Sequence, residues 1–205
     1  MIQDKYPTEK FMKLSEKQIF VIKATLGIMF AVNTGNNIGY VIANLSIVPF
    51  IFPLFIRSFS YLVCVLIIQW MLFSGHLPKR WFVYGIIGSL VSAFVIEQLV
   101  PLSPYNPPSF QYYVVDALRY FVMGLIAVIP QGYLLRKYGY VWILLNGLGW
   151  GLNQVYQSLL IYPAFSTIPF YMVILITITN GLLLGLMLSW YLYKIVNGEF
   201  KQSKE

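Results

Sequence analysis

Six stretches of about 20 mostly apolar residues, each closed by turn-forming residues, constrain this chain more than any other feature. They run over roughly 18–43, 49–73, 80–100, 112–135, 140–161 and 169–195. A helix of about 20 apolar residues matches the ~30 Å hydrocarbon thickness of a bilayer. The breaks carry turn chemistry: residues 46–49, the Ser74-Gly75-His76-Leu77-Pro78 turn, the proline-rich 101–108, Lys137-Tyr138-Gly139, and 162–169. Composition agrees, with 59% hydrophobic and 10% charged side chains. Soluble globular chains run nearer ~45–50% and ~25%. The expected fold class is all-α: a polytopic integral membrane helix bundle with six transmembrane helices. A cleaved leader is not expected, because residues 1–17 are polar and no small-x-small site follows the first apolar run.

Net charge is +7. In a soluble protein such an excess would raise the question of nucleic acid, but here the cations sort by connection. The 1–17 tail holds Lys5, Lys10, Lys13 and Lys17, with Lys23 just beyond it. Lys79 and Arg80 follow the second span, Arg136 and Lys137 the fourth, and Lys194, Lys201 and Lys204 the last. The three opposite connections hold no Lys or Arg. The positive-inside rule therefore places the 1–17 and 196–205 tails in the cytoplasm, with no nucleic-acid partner expected. The membrane domain is 18–195.

Within that domain a two-span unit recurs. Phe20, Trp81 and Trp142 are spaced by 61 residues, and Gly27, Gly88 and Gly149 hold the same interval. Near the ends of the even-numbered spans, Gln69, Gln131 and Ser189 open a second set of corresponding segments. Three hairpins over 18–73, 80–135 and 140–195 are expected, each entering the membrane at an aromatic interface anchor. Even span numbers give all three the same direction. Pro53 and Pro130 are expected to kink their spans. Glycine and alanine pairs such as Gly147 with Gly151, and Gly181 with Gly185, are expected to let helices approach closely.

The segments Gln69-Trp70-x-Leu72 and Gln131-x-x-Leu134-Leu135-Arg136, with Trp142-x6-Gly149-Trp150 after the second, carry a family resemblance. The chain resembles a group of small multi-span bacterial, mainly cyanobacterial, membrane proteins that repeat a Gln-Trp-Leu-x-Leu-Arg signature. It departs from the signature at Gly132, and at Phe73 and Ser74 where basic residues would stand. The resemblance covers about residues 60–160 and implies a topology, with no established activity to carry over.

Catalysis is not expected. The one histidine, His76, sits in a turn, and the one cysteine, Cys64, falls in an apolar run. No nucleophile motif, phosphate loop or metal-ligand set is present, so no cofactor or metal is expected. The informative polar residues lie inside the spans. Arg57 stands 12 residues before Gln69 and Arg119 stands 12 before Gln131. Asp116 precedes Arg119 by three residues, and Glu97, Asn36, Asn37 and Gln154 reach a similar depth. Asn33 and Gln157 accompany them. Charges within a membrane normally face the bundle interior or water. Three readings stay open for this set: a self-satisfied ion-pair network, an outer-facing polar pocket, or a wholly unpaired buried arginine.

The expected function is therefore non-enzymatic: binding or passage of a small polar or anionic solute, or of a lipid headgroup. The ligand-binding residues would be Arg57, Arg119, Asp116, Glu97, Asn36, Asn37 and Gln154. An accessory or assembly subunit of a larger membrane complex is the alternative, and a substrate-binding subunit of an energy-coupling-factor importer a third. The cell membrane, or a thylakoid membrane in a cyanobacterium, is the expected location.

Overall fold

A computed structural model describes residues 15–45, 53–74, 77–99, 110–161 and 169–198. His76, most of the tail cations and the proline-rich 101–108 lie outside the described residues. The chain forms α1 (Glu16–Asn44), α2 (Pro53–Phe73), α3 (Arg80–Leu99), α4 (Phe110–Leu134), α5 (Gly139–Ile161), α6 (Phe170–Thr179) and α7 (Leu182–Gly198). Among the described residues there is no strand. Among the described residues, three helical stretches are long and apolar enough to cross a membrane: Glu16–Asn44, Phe55–Phe73 and Tyr113–Leu134.

Local chemistry sets the helix ends. Ser15 caps α1 through a capping box: its hydroxyl accepts from the Gln18 N–H, and the Gln18 side chain accepts from the Ser15 N–H. Pro53, expected to kink the second span, is instead the first residue of α2, where its missing N–H costs nothing. Pro130 does lie inside α4. After α4, Arg136 takes a left-handed conformation (φ 50°) in the place usually given to glycine, and the three-residue 3-10 turn Arg136–Tyr138 leads into α5.

Each of the first five helices packs on its successor, and α7 closes a ring between α5 and α1. Packed neighbours run antiparallel. Along α1, Gly27, Gly35 and Gly39 face Ile68, Tyr61 and Arg57 of α2 in reverse order. Gly88 of α3 bears on the Ala127 carbonyl of α4, and the Ser92 hydroxyl donates to the Met123 carbonyl at 2.7 Å. Gly149 of α5 meets Leu184 of α7, and Gly185 meets Thr25 of α1. At each of these contacts the glycine leaves room for the backbone or a side chain of the neighbouring helix.

The sixth apolar run, expected as one helix, is two. Between α6 and α7 Gly181 has φ +88°, a conformation glycine adopts without steric cost. α7 packs into the ring, whereas the side chains of Tyr171, Leu175 and Ile178 on α6 are exposed. The outward faces of the other helices are also apolar, with Leu26, Phe30, Met71, Leu118 and Leu144 all exposed.

The end of the ring where α1, α3 and α5 begin is filled with aromatic side chains. Trp81 and Trp142 pack at 5.4 Å between ring centroids, and Tyr191 stacks on Trp142. Phe20 contacts Phe73 edge-on. Both tryptophans are fully buried, so they plug the bundle and do not anchor its surface at an interface as expected. One step further along the ring, Tyr61 packs on Trp150.

Candidate functional site

Beyond the Tyr61–Trp150 contact, polar side chains from five of the helices collect inside the ring. α5 supplies most of them because Asn153, Gln154, Gln157 and Ser158 fall on one helical face at spacings of three and four. Gln154 is the hub of one part. Its Nε2 donates to Asp116 Oδ2 and also lies 3.3 Å from the Ser158 hydroxyl. Gln154 and Ser158 are buried, and Asp116 half-buried. The guanidinium charges of both Arg119 and Arg57 act on the Asp116 carboxylate. Arg57 reaches from α2 to α1, where its Nη2 donates to Asn36 Oδ1 at 3.0 Å.

The second part brackets the α6–α7 break. Asn153 Oδ1 accepts from the Gly181 N–H at 2.8 Å, and its Nδ2 donates to Asn180 Oδ1 at 3.0 Å. Gln157 donates to the same Asn180 oxygen. From α1, the Asn33 Nδ2 lies 3.2 Å from the Asn180 carbonyl and 2.9 Å from that of Met29. Tyr156 and Thr179 share a hydroxyl contact at 2.6 Å. Interrupting a helix frees backbone N–H and C=O groups, and here amide side chains take them up.

Of the expected site residues, Arg57, Asn36, Asp116 and Gln154 form direct bonds in this region, and Arg119 bears on Asp116 through its charge. Asn37 does not join them. It is exposed, on the outward stripe that also carries Phe30 and Val41. Adjacent residues on a helix point about 100° apart, so only one of Asn36 and Asn37 can face α2. Glu97 lies on the last turn of α3, and its side chain is outside the described residues. Asn153 and Asn180 are functional candidates that the list of expected residues lacked. Asn-Gly is a strong turn dipeptide, and its position at 180–181 inside an apolar run was the available signal.

Among the described residues of this region, Arg57, Arg119 and Asp116 are the charged side chains that come together. Among the described residues no three of His, Cys, Asp and Glu gather as metal ligands would. A separate concavity of about 390 Å³ lies between α4 and α5, lined by Val114, Leu118, Leu148 and Leu152 among others. Its lining is almost wholly apolar. No protein-family model, curated protein or solved structure matches the chain.

The Arg119 charge acting on the Asp116 carboxylate predicts coupling between the two. Asp116→Ala should cost about 1–2 kcal/mol, below the range for a fully buried pair because the site is half-exposed. Combining it with Arg119→Ala should restore part of that loss, since the uncompensated charge is removed too. Thermal unfolding of the single and double variants in detergent measures this; additive losses would show that the two side chains are independent.

Proposed function

We propose that the chain is a six-span membrane protein built from three like-directed helical pairs, with α6 and α7 together forming the last span. Its polar chamber opens to the outer face and binds or passes a small polar or anionic solute. One observation carries this reading: charged and amide side chains converge inside a ring whose outward faces are apolar. Soluble proteins rarely expose apolar surface on that scale, while intramembrane charge is expensive enough to suggest a purpose. The aromatic plug lies toward the lysine- and arginine-bearing end and the chamber toward the other. That polarity supports an outward-facing site closed on the cytoplasmic side.

Two further features support the paired arrangement. Gly27, Gly88 and Gly149 each face the second helix of their own pair. Gln69, Gln131 and Ser189 are all buried.

A ligand that binds only the folded state raises stability by mass action, about 2.7 kcal/mol at 100 times its Kd. Purified protein should therefore show saturable thermal stabilisation by at least one small anion or polar solute in a panel. The stabilisation should vanish in Arg57→Ala. No stabilisation by any of them would count against a solute site. Orientation is tested separately. Tags at residues 1 and 205 should resist external protease in intact cells, while a cleavage site inserted at Tyr105 should be cut.

The exposed apolar surface of α6 favours a second reading, an accessory subunit that docks on a larger membrane complex. Stoichiometric co-purification with a membrane-protein partner, lost on replacing exposed α6 side chains, would select it.

A further inference from the structure

Between the aromatic plug and the Tyr61–Trp150 contact lies a small, partly open cavity of about 20 Å³. Its polar lining comes from four helices: Gln69 of α2, Ser89 of α3, Gln131 of α4 and Asn146 of α5, with Trp150 among the side chains around it. All four polar residues are buried, none more than 3% exposed. Asn146 is eight residues from Gln154 along α5, so the cavity sits about 12 Å from the Asp116 cluster.

The hydrogen-bonding capacity around this space is only partly used. Gln131 spends its amide on two long contacts, accepting from Trp142 Nε1 at 3.4 Å and donating to the Trp81 carbonyl at 3.5 Å. Asn146 Nδ2 donates to the Trp142 carbonyl at 2.9 Å, leaving its Oδ1 as an acceptor. Gln69 and Ser89 line the cavity and have no hydrogen-bond partner among the described residues. Buried amides and hydroxyls are costly to leave unbonded. A site holds a water when it offers roughly 10–15 Å³ or more and two to four polar partners. This cavity meets both conditions.

We infer that the cavity is a binding site for one uncharged, hydrogen-bonding molecule of water size, and that water occupies it in the resting protein. The ligand accepts from the Gln69 amide and donates to Asn146 Oδ1, with the Ser89 hydroxyl as a third partner. An ion is disfavoured because no charged group lines the site and a desolvated charge would go uncompensated. The bound molecule would thus tie α2 and α3 to α5, with Gln131 of α4 lining the same space. This inference does not depend on the outer chamber binding anything.

The test is diffraction from the full chain crystallised in a lipidic mesophase, with and without a thallium(I) soak. The expected result is one density peak within about 3 Å of the Gln69 amide and Asn146 Oδ1, without anomalous thallium signal. In Ser89→Val the added methyl groups fill the space and the peak should disappear. Anomalous density at the site would overturn the inference in favour of a cation. A cavity with no peak, or closed by Gln69 turning onto Asn146, would overturn it as well. Should the valine variant not fold, the two wild-type data sets decide the matter alone.

Discussion

Gly88→Ala is expected to destabilise the bundle by about 3 kcal/mol, and Gly27→Ala by less than about 1 kcal/mol, although the two glycines correspond in the repeat. A Cβ added at Gly88 would lie 2.0 Å from the Ala127 carbonyl oxygen and 2.8 Å from its carbon. These are backbone atoms of α4 just before Pro130, and they move only if α3 and α4 separate as a pair. Their separation would also stretch the Ser92–Met123 hydrogen bond one turn away. Overpacking a well-filled interface typically costs about 1–3 kcal/mol, and a backbone clash belongs at the upper end. At Gly27 the nearest atom is the Ile68 Cγ2 methyl at 2.9 Å, a side-chain contact that a smaller shift relieves than the backbone clash at Gly88. Thermal or denaturant unfolding of both variants in one detergent gives the comparison. Equal losses would mean that α3 and α4 pack less tightly than described.

Asn153→Leu should cost a similar amount, about 3 kcal/mol, for a different reason. Leucine matches asparagine roughly in volume but neither accepts from the Gly181 N–H nor donates to Asn180. A buried group left without its partner costs about 1–3 kcal/mol, and a freed backbone N–H inside an apolar bundle has no water to turn to. Asn153→Asp keeps the acceptor for Gly181 and should retain part of the stability. Gln157→Leu removes only one of several bonds to Asn180 and should cost under about 1 kcal/mol. Hydrogen exchange at the Gly181 amide would report the same ranking locally, with the fastest exchange in Asn153→Leu.

The helices were legible because the signal that sets them is long and additive. Five of the six apolar runs end within a few residues of α1 to α5. The sixth misled because its flanks, Phe170–Thr179 and Leu182–Leu188, are as apolar as any uninterrupted span. Nothing in hydrophobicity marks the Asn180-Gly181 break; its stability comes from Asn153, 27 residues earlier, and Asn33, 147 residues earlier. The arginines and Asp116 were visible as site residues by their charge alone. Gln154 was expected at a depth similar to that of Asp116, but a shared depth does not reveal that its amide meets Asp116, 38 residues away. Trp81 and Trp142 show the limit of composition. An aromatic residue at a helix start reads alike whether it faces a membrane interface or, as here, a neighbouring tryptophan in the core.

The closure of the ring has a consequence for biosynthesis. α7, the last of the described helices, packs on the first, with Gly185 seated against Thr25. In the six-span reading, ribosomal synthesis delivers α1 through α5 long before this contact can form. Until then Asn33 and Asn153 face an unfilled seam, without the Asn180-Gly181 peptide that completes their bonding. A nascent chain halted after α5 would therefore present a polar slot to lipid, a state that quality-control proteases and insertases could recognise.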